Sequence, residues 1–353
     1  MNRRRFLTGT AAGAAGMAGF GLTGGAQAPA GGRGGQGNAP AGPPALLGNP
    51  GAPPNVPAWK LARVSLMQLN FNALLKPQPT ANNPNPTPNA NQIYEIFDLP
   101  RVYVEHYGMH NIEFQHNQII KVETDPNYIK ELKAKLDEYK MTMSQVNLEI
   151  GTVEAMSGAD AAGRAKGIEH IKQWIDICSQ LGCRRIMLNQ QQAQLFLERK
   201  AQAVAFMKEA ADAARPKGIM ISVETRGAGQ PAIPAGPDGN PPAQVKDLGM
   251  KPWEFMLSII KEAGAHSNVD IGNVGAANQQ ELHDCIKAWY PRSSGNMHIK
   301  SSPNWNVGEA VRFTEGLGYR GLYAIEVGAW AGQRMTLNQI LPNLKNQFQD
   351  TKA

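Results

Sequence analysis

Cysteine is scarce: three in 353 residues, Cys178, Cys183 and Cys285. The number is odd and the spacing matches no metal knuckle, so neither a disulfide framework nor a cysteine zinc site is encoded. All three read as small buried hydrophobes. Long apolar runs are missing as well. The first candidate, Ala11 to Leu22, is short and rich in glycine and alanine, which excludes a convincing membrane-spanning helix and a stable membrane anchor. No basic cluster occurs in the body of the chain. The net charge is +6, and without Arg3, Arg4 and Arg5 it falls to +3, so a nucleic-acid partner is not expected. No glycine-rich phosphate loop stands out either, which disfavours a phosphorylated substrate.

What is present begins with a leader. Asn2-Arg3-Arg4-Arg5-Phe6-Leu7-Thr8, followed by the weakly apolar stretch, resembles a twin-arginine export signal over residues 1–30, ending near Ala28-Pro29-Ala30. The resemblance implies a protein that crosses the membrane already folded and works in the periplasm or beyond. Folding before export would also explain unpaired thiols. Residues 31–58 are mostly Gly, Pro and Ala with few large apolar side chains, the composition of a flexible linker. The folded body is expected over residues 59–353.

The body alternates. Lys217 to Gly227 reads as a buried strand, preceded by a helical pattern from Ala201 to Ala214 and followed, after a loop, by another from Pro252 to Ala263. Further strands are expected at Val64–Asn70, Asn111–Gln115, Met143–Glu149, Arg185–Asn189, His266–Asp270, Asn296–Lys300 and Leu322–Val327. Helices are expected at Ile93–Tyr107, Asp125–Tyr139, Ala165–Leu181, Glu281–Trp289, Val307–Leu317 and Leu337–Phe348. Eight strand–helix units in this length predict the α/β class and a single (β/α)8 TIM barrel. The longest loops, Lys76–Gln92 and Gly227–Leu248, both follow strands and would lie over the carboxyl mouth.

Polar residues recur at the carboxyl ends of these strands, where such folds place their chemistry. Glu224, Asp270, His298 and Glu326 end four successive strands and would converge on one rim. Three carboxylates and one imidazole suit one divalent cation, Mn2+ first, with Mg2+, Co2+ or Zn2+ compatible. A salt-bridge cluster built with Arg226 and Lys300 is the metal-free alternative. His106, His110 and His116 lack ligand spacing, and His266 should face the opposite end of the barrel. Trp305 and Trp330 follow the last two strands, where packing or sugar stacking would both suit them.

Four short segments, Val223-Glu224, Asp270-Ile271-Gly272-Asn273, His298-Ile299-Lys300 and Ala324-Ile325-Glu326, resemble the xylose-isomerase-like TIM-barrel superfamily of sugar isomerases, epimerases and dehydratases. The resemblance covers roughly Leu61 to Phe348. It implies that Glu224, Asp270, His298 and Glu326 bind one divalent metal and that Glu224 and Glu326 also move protons. Arg226, Lys300, Glu113, Glu149 and Asn273 become candidate substrate contacts. Asn273 stands where ketose epimerases commonly have histidine, and Ser301 where an acidic residue usually follows. Arg226 replaces a small or aromatic residue, so the ligands are kept while the substrate contacts differ. The resemblance implies isomerisation or epimerisation of an unphosphorylated sugar or keto-sugar. The alternatives are a lyase or dehydratase cleaving 3-keto-glycosides or keto-sugars by β-elimination, and a non-catalytic sugar-binding barrel. The expected partner is a small carbohydrate; self-association is left open.

Overall fold

Short apolar strands bounded by turns alternate with amphipathic helices, and in the computed structural model they close on themselves. The structure describes residues 56–78, 85–148, 161–188, 197–225, 249–300, 302, 304–327 and 330–345. The expected export signal, almost all of the expected linker, Glu149, Arg226 and the whole of the expected loop Gly227–Leu248 lie outside these residues.

The strands are β1 (Val64–Met67), β2 (Asn111–Gln115), β3 (Thr142–Leu148), β4 (Arg185–Leu188), β5 (Met220–Glu224), β6 (His266–Asp270), β7 (Ser293–Ile299) and β8 (Leu322–Ile325). The helices that follow them in turn are α1 (Leu99–Tyr107), α2 (Pro126–Glu138), α3 (Ala161–Leu181), α4 (Lys200–Ala214), α5 (Pro252–Ala263), α6 (Gln279–Trp289), α7 (Val307–Gly316) and α8 (Trp330–Ile340). All neighbouring strands pair in parallel, and β8 returns to β1 to complete the expected (β/α)8 barrel. The local signals act as chemistry requires. Asp125 caps α2, its Oδ1 accepting from the backbone of Asn127 at 2.9 Å and Tyr128 at 3.3 Å. Gly264 ends α5 with a φ of 68°, a left-handed geometry that glycine adopts without strain.

Several boundaries shift: β7 begins at Ser293 rather than Asn296 and α3 at Ala161 rather than Ala165, and three further shifts follow. The first strand stops at Met67 and continues as a 3-10 turn over Gln68–Phe71, rather than running to Asn70. The helix expected from Ile93 starts at Leu99 behind a 3-10 turn, with Pro100 in its first turn. The last helix runs Trp330–Ile340 rather than Leu337–Phe348, because Pro342 has no N–H with which to continue it and the chain goes over to a 3-10 turn at Leu341–Asn343.

The hydrophobic core lies between the strands and the helical ring. Ile112, Phe114, Val146, Ile186, Val223, Val269, Ile299 and Ile325 pack there, all buried. The inside of the barrel is different: Ser65, Glu113, Gln145, Asn147, Ser222, Asn268 and Asn296 are all fully buried. Barrels of this kind usually fill that space with branched aliphatic side chains. A polar filling is tolerable where its atoms are bonded, and here the donors are, although Gln145 Oε1, Asn268 Oδ1 and Asn296 Oδ1 have no partner among the described residues. Ser65 and Ser144 share an O–H···O contact of 2.7 Å, and Asn147 and Asn296 donate to Glu113 at 2.7 and 2.8 Å.

Candidate metal centre

Glu224 and Asp270 are the last residues of β5 and β6, His298 is the penultimate residue of β7, and Glu326 directly follows β8. Asp270 pairs across the ladder with His298, and His298 with Ala324, two residues before Glu326. Glu224 pairs with Asn268, two residues before Asp270. The stagger is that of a closed barrel with tilted strands. It brings one ligand atom from each of Glu224, Asp270, His298 and Glu326 within 4.8 Å of one another. His298 Nδ1 lies 3.0 Å from Glu326 Oε2, 3.2 Å from Glu224 Oε1 and 3.7 Å from Asp270 Oδ2. Lys300 closes the cluster on its open side, its Nζ 2.9 Å from Asp270 Oδ2 and 3.1 Å from Glu326 Oε1.

Each member is held from behind. Asp270 Oδ1 accepts from the backbone of Gly272 at 2.7 Å and Asn273 at 3.0 Å, which leaves Oδ2 to face the cluster. The Thr225 hydroxyl donates to the Asp270 carbonyl at 3.0 Å and accepts from its N–H at 2.8 Å. Asn70 clamps the end of β8, donating to Ile325 O at 2.6 Å and accepting from Val327 N at 2.8 Å, on either side of Glu326. Asn273 donates to Glu224 Oε1 at 3.1 Å. Gly272 is required by Lys300, because a Cβ there would overlap the Lys300 Cγ and Cδ atoms.

The donor set fits a divalent cation. Asp270 Oδ2 and Glu326 Oε2 are buried and accept no hydrogen bond of normal geometry among the described residues. Only charged neighbours approach them. Burial alone would raise the Asp270 pKa, yet the Lys300 charge and the His298 hydrogen bond outweigh it and hold the carboxyl well below the usual range. Glu326 is lowered by the same two cations, again against burial. His298 is raised well above an ordinary histidine despite its burial, chiefly by the charge of Glu113 and a hydrogen bond to Asp270. Lys300 is raised by Asp270 and Glu326, also against burial. Lys300 and a protonated His298 thus supply the compensating charge that an ion would otherwise bring.

The candidate substrate contacts divide. Lys300, with a fifth of its side chain exposed, stands at the rim. Asn273 is half-buried beside Glu224. Glu113 is fully buried behind His298, its Oε1 2.7 Å from Nε2 of the ring. Glu149 and Arg226 fall outside the described residues. Trp305 is buried, and the Trp330 side chain lies outside the described structure. Sequence reasoning passed over Gln145, Asn296, Thr225 and Gly272. For Asn296 there was a usable signal, since it lies two residues before His298 on the same inward face.

A family model described as xylose isomerase-like TIM barrel matches residues 102–325. No curated protein sequence matches the chain. Among solved structures, a sugar phosphate isomerase/epimerase from Parabacteroides distasonis is similar with a TM-score of 0.57 at 13% identity, covering 80% of this chain and 96% of its own. The 3-keto-D-glucoside 4-epimerase YcjR from E. coli gives 0.54 at 12% identity, covering 79% and 98%. The probable 3-DHS dehydratase AsbF from Bacillus anthracis gives 0.53 at 12%, covering 81% and 99%. At such identities the likeness is one of fold.

Proposed function

Because this chain belongs to the xylose isomerase-like TIM-barrel family, we propose that it is a divalent-metal-dependent isomerase or epimerase of an unphosphorylated sugar or keto-sugar. One observation carries the reading: Glu224, Asp270, His298 and Glu326 aim one ligand atom each into a space no wider than 4.8 Å, at the carboxyl mouth of the barrel. Those four residues would hold the ion. A bound divalent ion supplies positive charge that acidifies the C–H beside a substrate carbonyl.

The chain's own residues then do the proton work. Glu224 and Glu326 accept and return the proton, as a carboxylate at hydrogen-bond range can. Glu326 is the more exposed of the two, 17% against 2% of the side chain, and is therefore the one a substrate reaches first. Lys300, bound to both Asp270 and Glu326, is placed to donate to a substrate oxygen as negative charge develops there. Thr225 and Asn70 keep the two strand ends from moving as the charge shifts.

Incubation of metal-loaded protein with unphosphorylated sugars and 3-keto-glycosides in D2O tests the reading. Deuterium should enter the carbon beside the carbonyl without bond cleavage. Release of a free sugar or aglycone would instead mean β-elimination by a lyase, and tight binding with no exchange would mean a sugar-binding barrel. We also propose that the protein is exported through the arginine-rich leader. Replacing Arg3, Arg4 and Arg5 with lysine should retain it in the cytoplasm, and continued export would refute the assignment.

A further inference from the structure

Behind the cluster lies a carboxylate that the proposed reaction does not use. Glu113, in the middle of β2, is wholly buried inside the barrel. Its Oε1 receives His298 Nε2 at 2.7 Å, Asn147 Nδ2 at 2.7 Å and Gln145 Nε2 at 3.3 Å, and its Oε2 receives Asn296 Nδ2 at 2.8 Å. Every neighbour is a donor, so both oxygens must accept. The imidazole of His298 therefore stands between two carboxylate environments, Glu113 at one nitrogen and Glu224, Asp270 and Glu326 at the other.

We infer that Glu113 is a positioning residue that holds the His298 ring proton on Nε2 and so presents an unprotonated Nδ1 to a divalent ion; the inference rests on the metal reading above. A neutral imidazole carries one proton, on either nitrogen. A carboxylate 2.7 Å from Nε2 is a good partner only for an N–H there. Nδ1, the nitrogen facing the three ligand carboxylates, is then the one with a lone pair to give. The buried negative charge behind the ring also makes that lone pair more basic, the usual effect of an outer carboxylate on a ligating histidine. The amides of Asn147, Gln145 and Asn296 keep Glu113 in this pose, spending its acceptor capacity on fixed donors.

Glutamine at this position would present one acceptor oxygen and an NH2 to four donors. If the NH2 faced His298, the ring would have to accept at Nε2, moving its proton to Nδ1, where it blocks the ion. Calorimetric titration with Mn2+ should therefore show Glu113→Gln binding roughly 10- to 100-fold more weakly than wild type. Glu113→Asp, which keeps the acceptor but draws it back, should fall between them. With Zn2+ bound, nitrogen-15 spectra of labelled histidine should put the His298 proton on Nε2 in wild type and show that signature disturbed in Glu113→Gln. Ser65→Ala, which breaks a buried hydrogen bond to Ser144 without touching Glu113, should lower thermal stability but leave the His298 spectrum as in wild type. Unchanged Mn2+ affinity and an unchanged His298 spectrum in Glu113→Gln overturn the inference, and Glu113→Asp decides the matter if the glutamine variant does not fold. Wild type that takes up no divalent ion is a different result: the metal reading itself then fails, and this inference with it.

Discussion

Buried ionisable side chains in this protein follow two fates, set by what surrounds each. Asp270, Glu326, His298 and Lys300 keep their charges because opposite charges lie 2.7 to 3.7 Å away. His116 has no such compensation of comparable strength. It lies buried just past β2, its ring edge-on to Trp174 with centroids 5.9 Å apart. Burial lowers its pKa from 6.5 to about 4, and the charge of Glu123 only partly opposes this. The folded protein therefore holds His116 neutral where the unfolded chain would already be protonated. Between pH 6.5 and about 4 the unfolded state binds more protons, so stability is complete above that window and falls as the pH falls through it. The loss attributable to this one group reaches about 3 kcal/mol at the acid end. Urea unfolding of wild type and His116→Phe across this range should show a steeper acid-side decline in wild type; parallel curves would mean that His116 is charged in the fold.

At the scale of elements, the seventh strand–helix unit is fastened to the start of the first by a second buried ion pair, at the end of the barrel opposite the metal centre. Arg63, just before β1, reaches Glu315 on α7 with both terminal nitrogens, at 2.7 and 2.8 Å, and neither side chain is exposed. Tyr323 of β8 donates to the same carboxylate at 2.7 Å, and the Lys345 backbone N–H at 3.1 Å. A carboxylate serving three elements fixes how β8 meets β1. Removing one partner strands a buried charge, so Glu315→Ala should cost about 3–5 kcal/mol in chemical denaturation. The double change Arg63→Met with Glu315→Leu, which removes both charges, should lie closer to wild type than either single variant. A loss in Glu315→Ala below about 1 kcal/mol would show the pair to be no stronger than a surface contact.

Elements of this kind were legible in the sequence wherever the pattern was local. Strand ends such as Val223-Glu224 and His298-Ile299-Lys300 announce themselves by alternation, and their order along the chain implies one rim. The network behind the rim was not legible, for a geometric reason. Glu113 meets His298 across the barrel interior, between residues 185 positions apart, and the pairing of β2 with β3 shifts register between Ile112 and Glu113. That shift sets Gln145 opposite Glu113, which counting alternate residues along a single strand does not reveal. Glu113 could be singled out as polar and inward-facing, but not as the partner of His298. The Arg63–Glu315 clasp was hidden for the same reason.

At the scale of the whole molecule, the barrel divides its labour between its two ends. The amino end is closed by Arg63 and Glu315, with Arg320 a further 3.6 Å from the same carboxylate. The carboxyl end gathers three carboxylates around one imidazole, with Lys300 and His298 as the cations that hold the cluster together. Such a balance is stable yet exchangeable, since a divalent ion can replace the charge on His298 and take over contacts that Lys300 makes. The proposed chemistry depends on that exchange. The direct test is the metal content of the purified protein after loading with Mn2+ and passage through a desalting column. We expect one equivalent per chain, removed by EDTA and restored by Mn2+ or Co2+, with Asp270→Ala and Glu326→Ala retaining far less and Lys300→Met retaining the ion. A wild-type protein that holds no divalent ion, or whose ion is unaffected by replacing Asp270 and Glu326, would contradict the account.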